Sequence, residues 1–142
     1  PVHVTTWETD SPALAWTGSE VAIAWMDHRT GDTYIDLARY TTSGTQVGTT
    51  QNIADGTFDA TSLDMAWTGS EFFIAYLRGG ELYLNFVSPT GTEGTSFSGS
   101  PIYTAPANSD IDMAWTGSIF GIGWMLVSGG AQVTLSTAGF CE

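Results

Sequence analysis

The sequence repeats one short segment three times at a nearly constant spacing. Residues 15–20 and residues 66–71 both read AWTGSE, and residues 114–118 read AWTGS. The tryptophans of these segments, Trp16, Trp67 and Trp115, are 51 and 48 residues apart. Such a period requires three similar structural units that complete their cores by packing on one another. It lies in the range of propeller blades and other closed β repeats.

Further positions around the tryptophans match between the repeats. An apolar residue stands two positions before each tryptophan, and an aromatic residue stands nine positions after it. An aspartate precedes the second and third tryptophans by three positions. These residues are Leu14, Met65 and Met113, then Trp25, Tyr76 and Trp124, then Asp64 and Asp112.

Each repeat has the pattern of four β-strands, which we name a to d. Strands a and b flank the Thr-Gly-Ser turn, where glycine permits the positive φ of a tight hairpin. In the second repeat they are Leu63–Trp67 and Glu71–Leu77. The predicted c strands are 35–40, 82–87 and 133–135, and the predicted d strands lie near 50–54 and 101–104. Only 13% of residues are charged against the usual ~25%, and 13% are aromatic, which also favours strands.

The order of the strands is permuted along the chain. The third repeat has no d strand of its own, whereas residues 1–7 alternate like a strand and precede the first a strand. We therefore predict a single domain with strand d at 1–9, blades at 10–56 and 57–107, and strands a to c of the last blade at 108–142. The N-terminal strand would complete the last sheet and remove an open edge.

The first repeat carries a longer pattern, which can be written Trp16-Thr-Gly-Ser-Glu-x-Ala-x-Ala-Trp25-x-Asp-x-Arg-x-Gly31. This pattern resembles the propeller-like repeats of secreted bacterial proteins. The second repeat lacks the Asp and Arg after Tyr76, and the third has Ile119 in place of the Glu. The resemblance implies an all-β propeller-like fold that serves as an extracellular or cell-surface scaffold for binding or structure.

Three blades are too few to close a ring, because ordinary propellers have about four to eight. We expect two chains to form a homodimer with one six-bladed ring. The alternative is a β-trefoil, which also has three four-stranded repeats and closes as a monomer. Its usual glutamine two residues before a tryptophan is absent here.

Charge and hydropathy exclude two classes of partner. The chain has 3 Lys+Arg against 15 Asp+Glu and a formal net charge of -12, and no lysine occurs. Such a surface repels nucleic acid and anionic lipid. The longest unbroken apolar stretch, Ile119–Val127, is far below the ~20 residues of a membrane-spanning helix. We therefore expect no binding of nucleic acid and no membrane insertion.

Charged residues concentrate in the d–a and b–c loops, which lie on one face of a propeller. Binding sites commonly form where loops converge. We expect carbohydrate to bind here, because sugars need an aromatic face together with planar donors and acceptors. The candidate ligand-binding residues are Trp7, Glu8, Asp27, Arg29 and Arg78. The alternative function is a structural or adhesive module that assembles with its own copies and binds no small ligand.

Two other groups of acidic residues suggest local roles. Asp27, Asp32 and Asp110 offer oxygen ligands that suit calcium, although such residues more often cap turns. The repeated Asp64 and Asp112 in strand a have two interpretations: a hydrogen bond to the backbone of a neighbouring blade, or an acidic collar that holds a cation. No other cofactor is implied.

The sequence contains no recognisable catalytic motif. His3 and His28 are the only histidines, and neither belongs to a nucleophile-elbow, zinc or triad pattern. We expect His28 to be an exposed loop residue. We expect the chain not to be an enzyme and name no catalytic residue.

Overall fold

The computed structural model describes residues 7–54, 56, 60–90, 103–104, 110–127 and 131–139, and every regular element among them is a β-strand. Sheet 1 contains β1 (Glu8–Trp16), β2 (Glu20–Arg29), β3 (Asp32–Thr41) and β4 (Gln46–Ala54). Sheet 2 contains β5 (Ala60–Trp67), β6 (Phe72–Arg78), β7 (Glu81–Val87) and β8 (Tyr103–Thr104). Sheet 3 contains β9 (Ile111–Trp115), β10 (Ile119–Val127) and β11 (Ala131–Gly139).

Each sheet is an antiparallel meander in which every strand pairs with the next one along the chain. The all-β class and the order a-b-c-d in the first two repeats are therefore confirmed. The described strands of the third repeat follow the order a-b-c. The strand predicted to complete sheet 3 spans residues 1–9, of which residues 1–6 lie outside the described residues. The described part of the chain also contains no apolar helix of membrane-spanning length.

The first strand begins earlier than predicted. Glu8 and Thr9 were assigned to the preceding strand d, but they pair with His28 and Asp27 and thus belong to β1. The register shifts between Asp10 and Ala13, where Ser11 has a φ of 49°. Pro12 has no N–H to donate, so an irregularity at this point lets the strand continue on both sides of it.

The Trp-Thr-Gly-Ser segment folds into the same turn in all three repeats. The Oγ1 of Thr68 accepts the N–H of Glu71 and also donates to its carbonyl, each at 3.0 Å. Thr17 and Thr116 make the same pair of bonds to Glu20 and Ile119. The glycine of each turn has a φ of 100–106°, a region that side-chain-bearing residues rarely adopt. The repeated motif is thus a turn in which threonine provides the bonds and glycine the geometry.

The three sheets stack face to face. Each sheet has a following side and a preceding side, defined by the alternating residues of its first strand. The following sides carry Ala13 and Ala15 in sheet 1, Asp64 and Ala66 in sheet 2, and Asp112 and Ala114 in sheet 3. The preceding sides carry Leu14 and Trp16, Met65 and Trp67, and Met113 and Trp115. The following side of sheet 1 packs on the preceding side of sheet 2, and the following side of sheet 2 packs on the preceding side of sheet 3.

The two interfaces between sheets pair small residues with large ones in different ways. Sheet 1 presents buried alanines, among them Ala22 and Ala24, to Phe72 and Ile74 of sheet 2. Between sheets 2 and 3, Phe73 stacks on Phe120 with ring centroids 3.8 Å apart. Full burial of one such side chain contributes about 1.5–3 kcal/mol. Most of the core therefore forms two layers of apolar side chains, one in each interface, and a smaller cluster of Trp25, Ala38 and Tyr40 lies in sheet 1.

The first strands of the three sheets lie side by side. Strand β5 lies between β1 and β9 and contacts both. Ser62 of β5 accepts the backbone N–H of Ile111 in β9 at 3.0 Å. The sheets therefore converge along their first strands, and their later strands extend away from this line.

We predict that Gly69→Ala lowers the free energy of unfolding by about 1–3 kcal/mol, because an alanine at a φ of 106° is strained. Ser70→Ala in the same turn should cost less than ~0.5 kcal/mol, since the Ser70 side chain is exposed. Urea unfolding followed by tryptophan fluorescence measures both values. Equal stability of the two variants would contradict this account of the turn.

Candidate functional site

The predicted charged loops of sheet 1 meet at one end of that sheet. Glu8 lies opposite His28, and Arg29 lies opposite Asp32. Ile35 lies opposite Ala54, so the end of β4 reaches the same place. The start of strand a, the b–c hairpin and the end of strand d thus share one end, as predicted.

Arg29 is held at this end by two buried carboxylates. Its Nε lies 3.3 Å from Oδ2 of Asp27, and its Nη2 contacts Oδ2 of Asp36. The two aspartates are each 2% exposed, and Asn52 donates to Oδ1 of Asp36 at 3.1 Å. The guanidinium also lies 4.9 Å from the centre of the Tyr34 ring. These contacts make Arg29 the counter-charge that allows two carboxylates to be buried.

His28 connects three strands of sheet 1. Its Nδ1 lies 3.1 Å from Oγ1 of Thr33 in β3, and its Nε2 lies 3.1 Å from Oδ2 of Asp10 in β1. The expectation of an exposed loop residue is wrong. Strand β2 continues to Arg29, so His28 lies within a strand and its ring is held from both neighbouring strands.

The remaining candidate ligand-binding residues differ in their surroundings. Trp7 is 51% exposed immediately before β1, and Glu8 is an exposed residue of that strand. Arg78 belongs to sheet 2, where its guanidinium lies 5.7 Å from the centre of the Tyr83 ring. The phenol of Tyr83 donates to Glu81 at 2.7 Å. Binding of a sugar by these residues stays a prediction, with Asp27 and Arg29 already paired to each other.

The three aspartates considered for calcium do not form a metal cluster. Among the described residues, no group of three histidine, cysteine, aspartate or glutamate side chains could hold a metal ion. Asp27 is buried beside Arg29, whereas Asp32 is exposed at the start of β3. Asp110 is exposed just before β9 in sheet 3. Asp27 and Asp32 are close in the sequence but differ in burial, and Asp110 lies in another sheet.

Asp64 joins two neighbouring sheets through the backbone. Its Oδ1 accepts the N–H of Met65 at 2.7 Å, and its Oδ2 accepts the N–H of Met113 in β9 through a short hydrogen bond. The interpretation of this repeated aspartate as a bond to the next sheet's backbone is therefore confirmed for Asp64. In sheet 1 the corresponding residue is Ala13, which cannot make such a bond to β5.

The ionisation of Asp64 reflects this position between sheets. Burial raises its pKa above the ordinary value of 3.8, and the carboxyl of Asp112 raises the pKa further. The two backbone N–H donors act in the opposite direction. Asp112 itself is exposed on the following side of sheet 3.

A pocket of about 240 Å³ lies at the opposite end of the sheets, beside the a–b turns. It lies between sheets 2 and 3 and is lined by Thr68, Ser70, Glu71, Phe86 and Trp115. Trp115 contacts Phe120 with ring centroids 4.4 Å apart, which fixes the indole against the core. The pocket thus combines an aromatic surface, two hydroxyls and one carboxylate.

The equivalent position between sheets 1 and 2 contains an ion pair. By strand register Arg39 corresponds to Phe86, and Glu20 corresponds to Glu71. Nη1 of Arg39 lies 2.8 Å from Oε2 of Glu20, and both side chains are largely buried. Glu71 forms no ion pair with a residue that the structure describes. Replacement of arginine by phenylalanine thus leaves a carboxylate without a basic partner in the pocket.

Sequence reasoning missed this pocket because it placed the binding site at the charged end. The a–b turns contain mainly Thr, Gly and Ser, and Trp115 was not among the predicted ligand-binding residues. One signal was available in the sequence: among the three copies of the turn, only the second combines a glutamate with a phenylalanine in strand c. The sequence alone does not show that this glutamate and this phenylalanine lie beside each other in one interface between sheets.

Comparison of the chain with protein-family models, curated proteins and solved structures gives no match.

We predict that Arg29→Met lowers the free energy of unfolding by about 3 kcal/mol, because it leaves two buried carboxylates without their counter-charge. This figure is at the low end for a broken buried pair, since one third of the Arg29 side chain is exposed. Arg78→Met, which removes a contact with the Tyr83 ring, should cost less than Arg29→Met. Chemical denaturation measures both values, and an equal loss in the two variants would contradict the structural role of Arg29.

We predict that Asp64 titrates above 3.8 in the folded protein, with a midpoint that NMR of its ¹³Cγ would report. Asp112→Ala should lower this midpoint without restoring 3.8, because burial is the larger cause. The folded state retains this proton to higher pH than the unfolded state does. The stability of the wild type relative to Asp64→Asn should therefore fall as the pH rises from 3.8 through the raised pKa. A midpoint at or below 3.8 would contradict the buried position.

Proposed function

We propose that this chain is a non-catalytic, extracellular carbohydrate-binding module, and that the pocket between sheets 2 and 3 receives the sugar. The observation that carries the proposal is the side-chain set of the pocket. Trp115 offers a flat apolar surface for the C–H groups of a sugar ring, while Glu71 and Ser70 offer partners for its hydroxyls. The Glu71 carboxylate has no arginine opposite it, so it is available to a ligand.

The size and charge of the pocket restrict the ligand. Pockets for drug-sized molecules measure about 300–1,000 Å³, so about 240 Å³ suits one small ring. The carboxylate and the net charge of -12 disfavour acidic sugars. The expected ligand is a neutral or amino sugar unit.

The same residues support binding without catalysis. Glu71 is the one carboxylate among the described residues that line the pocket, whereas glycoside hydrolysis ordinarily needs a pair of carboxylates. No histidine or cysteine is among these described lining residues. The described lining therefore supports the holding and orientation of a sugar.

We also propose that the sheets are propeller blades and that two chains form a six-bladed ring. Three observations support this arrangement: the antiparallel meanders, the face-to-face stacking of the sheets, and the alignment of their first strands. In a propeller the first strands lie nearest the axis. A β-trefoil would instead share its strands in one barrel, whereas the described strands form separate sheets.

The test of sugar binding is a glycan array followed by calorimetry with the neutral or amino sugar that gives the strongest signal. Trp115→Ala should abolish binding, and Glu71→Gln should weaken it about tenfold or more through the loss of a charge-assisted hydrogen bond. The matched control is Glu20→Gln, which alters the corresponding residue of the ion-paired position and should leave the affinity unchanged. We expect one sugar per chain.

Two outcomes would overturn this assignment. If no neutral or amino sugar binds the wild type, the module is not a lectin of this kind. If sugar binds but Trp7→Ala removes binding while Glu71→Gln does not, the site lies at the charged end predicted from sequence. Because Trp115 packs on Phe120, thermal unfolding must show that the Trp115 variant is folded; Glu71→Gln supplies the independent test.

A further inference from the structure

The stacking of the sheets has a direction. By strand register, the following sides of sheets 1 and 2 are equivalent. The following side of sheet 1 packs on sheet 2, and that of sheet 2 packs on sheet 3. The corresponding side of sheet 3 carries Asp112 and Ala114, and both residues are exposed. The side that continues the series is therefore open at sheet 3.

The preceding side of sheet 1 is open in a complementary way. Leu14 is 63% exposed and Trp16 is 53% exposed. The equivalents of Leu14, Met65 and Met113, are only 4% and 8% exposed, because each has a preceding sheet to pack on. Farther from β1, this side of sheet 1 carries Trp25, Ala38 and Tyr40, which form a small buried cluster. The open part is thus the margin formed by β1.

The following side of sheet 3 has room for large side chains. Gly121 and Gly123 occupy the positions that Ala22 and Ala24 have in sheet 1. In sheet 1 those alanines accept Phe72 and Ile74 of the next sheet. A surface of glycines beside Ala114 can accept Leu14 and Trp16 in the same manner. The partly exposed Ile119, at 40%, adds apolar area at the turn.

The hydrogen bond between neighbouring first strands predicts one specific contact. Asp64 accepts the N–H of Met113, which is the residue that corresponds to Leu14. Asp112 stands at the position of Asp64 and lies on an open side. A second copy placed as the next sheet would bring the N–H of its Leu14 to this carboxylate. The neighbouring bond from Ile111 to Ser62 would have no equivalent, since Pro12 has no N–H.

We infer that the following side of sheet 3 binds the β1 margin of a second copy of this chain, with Asp112 accepting the N–H of Leu14 from that copy. The inference rests on the proposed ring and names the surfaces that close it. The contact is head-to-tail, and a two-fold ring forms when each copy makes it once in each direction. We call this contact between the two copies the joint. It contains a third position equivalent to the pocket, in which Trp16 of one copy faces Thr116, Ser118 and Ile119 of the other.

This joint explains why one sugar per chain is expected in a ring of six sheets. The position between sheets 1 and 2 holds the Glu20–Arg39 ion pair, and the joint has Ile119 in place of the glutamate. The position between sheets 2 and 3 has the carboxylate together with an aromatic lining. The assembly would therefore contain two equivalent sugar sites.

The test is sedimentation equilibrium of the whole chain and of three variants. The wild type should have twice the chain mass of 15.1 kDa at micromolar concentration. Leu14→Glu should be monomeric, because it places a charge in the apolar contact and opposite Asp112. Asp112→Ala should raise the dimer Kd about tenfold or more, since it removes a hydrogen bond to a charged acceptor. Asp110→Ala is the control and should leave the Kd unchanged.

The outcomes separate this inference from the proposals on which it rests. A dimer whose Kd is the same in Leu14→Glu, Asp112→Ala and the wild type would overturn the named surfaces while leaving the ring in place. A wild-type monomer at all concentrations would overturn both. Sugar binding at Trp115 is measured separately and depends on neither result. Leu14 is mostly exposed, so circular dichroism should show that its variant keeps the wild-type strand content.

Discussion

The contact between neighbouring first strands governs the rest of this structure. A single meander of four strands cannot bury both of its faces, so each repeat depends on the next to cover one. The stacking of sheet 1 on sheet 2, and of sheet 2 on sheet 3, supplies that cover through two apolar layers. Asp64 fixes the relative position of β5 and β9 because one carboxylate accepts an N–H from each strand. The site between sheets 2 and 3 exists only because these two sheets are held together.

Much of the fold follows from local residues in the sequence. The Thr-Gly-Ser turn could be predicted because glycine and threonine have one clear structural use at that position, and the same bonds form in all three repeats. The repeated Asp64 could likewise be interpreted as a bond to the next sheet. The start of β1 was predicted wrongly, because Glu8 and Thr9 were assigned to the preceding strand d although they pair within sheet 1. Local patterns therefore identified strands and turns but not their ends.

The candidate site required knowledge of which repeat positions face each other. Asp27 and Arg29 were predicted to bind a ligand, yet Arg29 forms ion pairs with Asp27 and with Asp36 of β3. Trp115 belongs to the repeated tryptophans and was not predicted to bind a ligand, yet it lines the pocket. Between sheets 1 and 2, Arg39 occupies this place and pairs with Glu20. Between sheets 2 and 3, Phe86 stands at the equivalent position and a pocket is present. This difference becomes visible only when two interfaces are superimposed by strand register.

The repeat thus serves two purposes with one geometry. Where the ion pair is present, the turn end is closed and structural; where phenylalanine replaces arginine, the same turn forms a pocket suited to a small polar ring. The open sides at sheets 1 and 3 are the surfaces that we propose for assembly. Structural repetition, and divergence of single positions within it, together account for the proposed binding and for the proposed ring.

The stacking of the sheets through their first strands is tested most directly by a scalar coupling across the hydrogen bond between Asp64 and Met113. NMR of uniformly ¹³C,¹⁵N-labelled protein detects such a coupling between the backbone nitrogen of Met113 and the carboxyl carbon of Asp64 only when the bond exists. The account predicts a measurable coupling and a Met113 amide that exchanges slowly with solvent. Absence of the coupling together with fast exchange of that amide would contradict the stacking of sheets through their first strands.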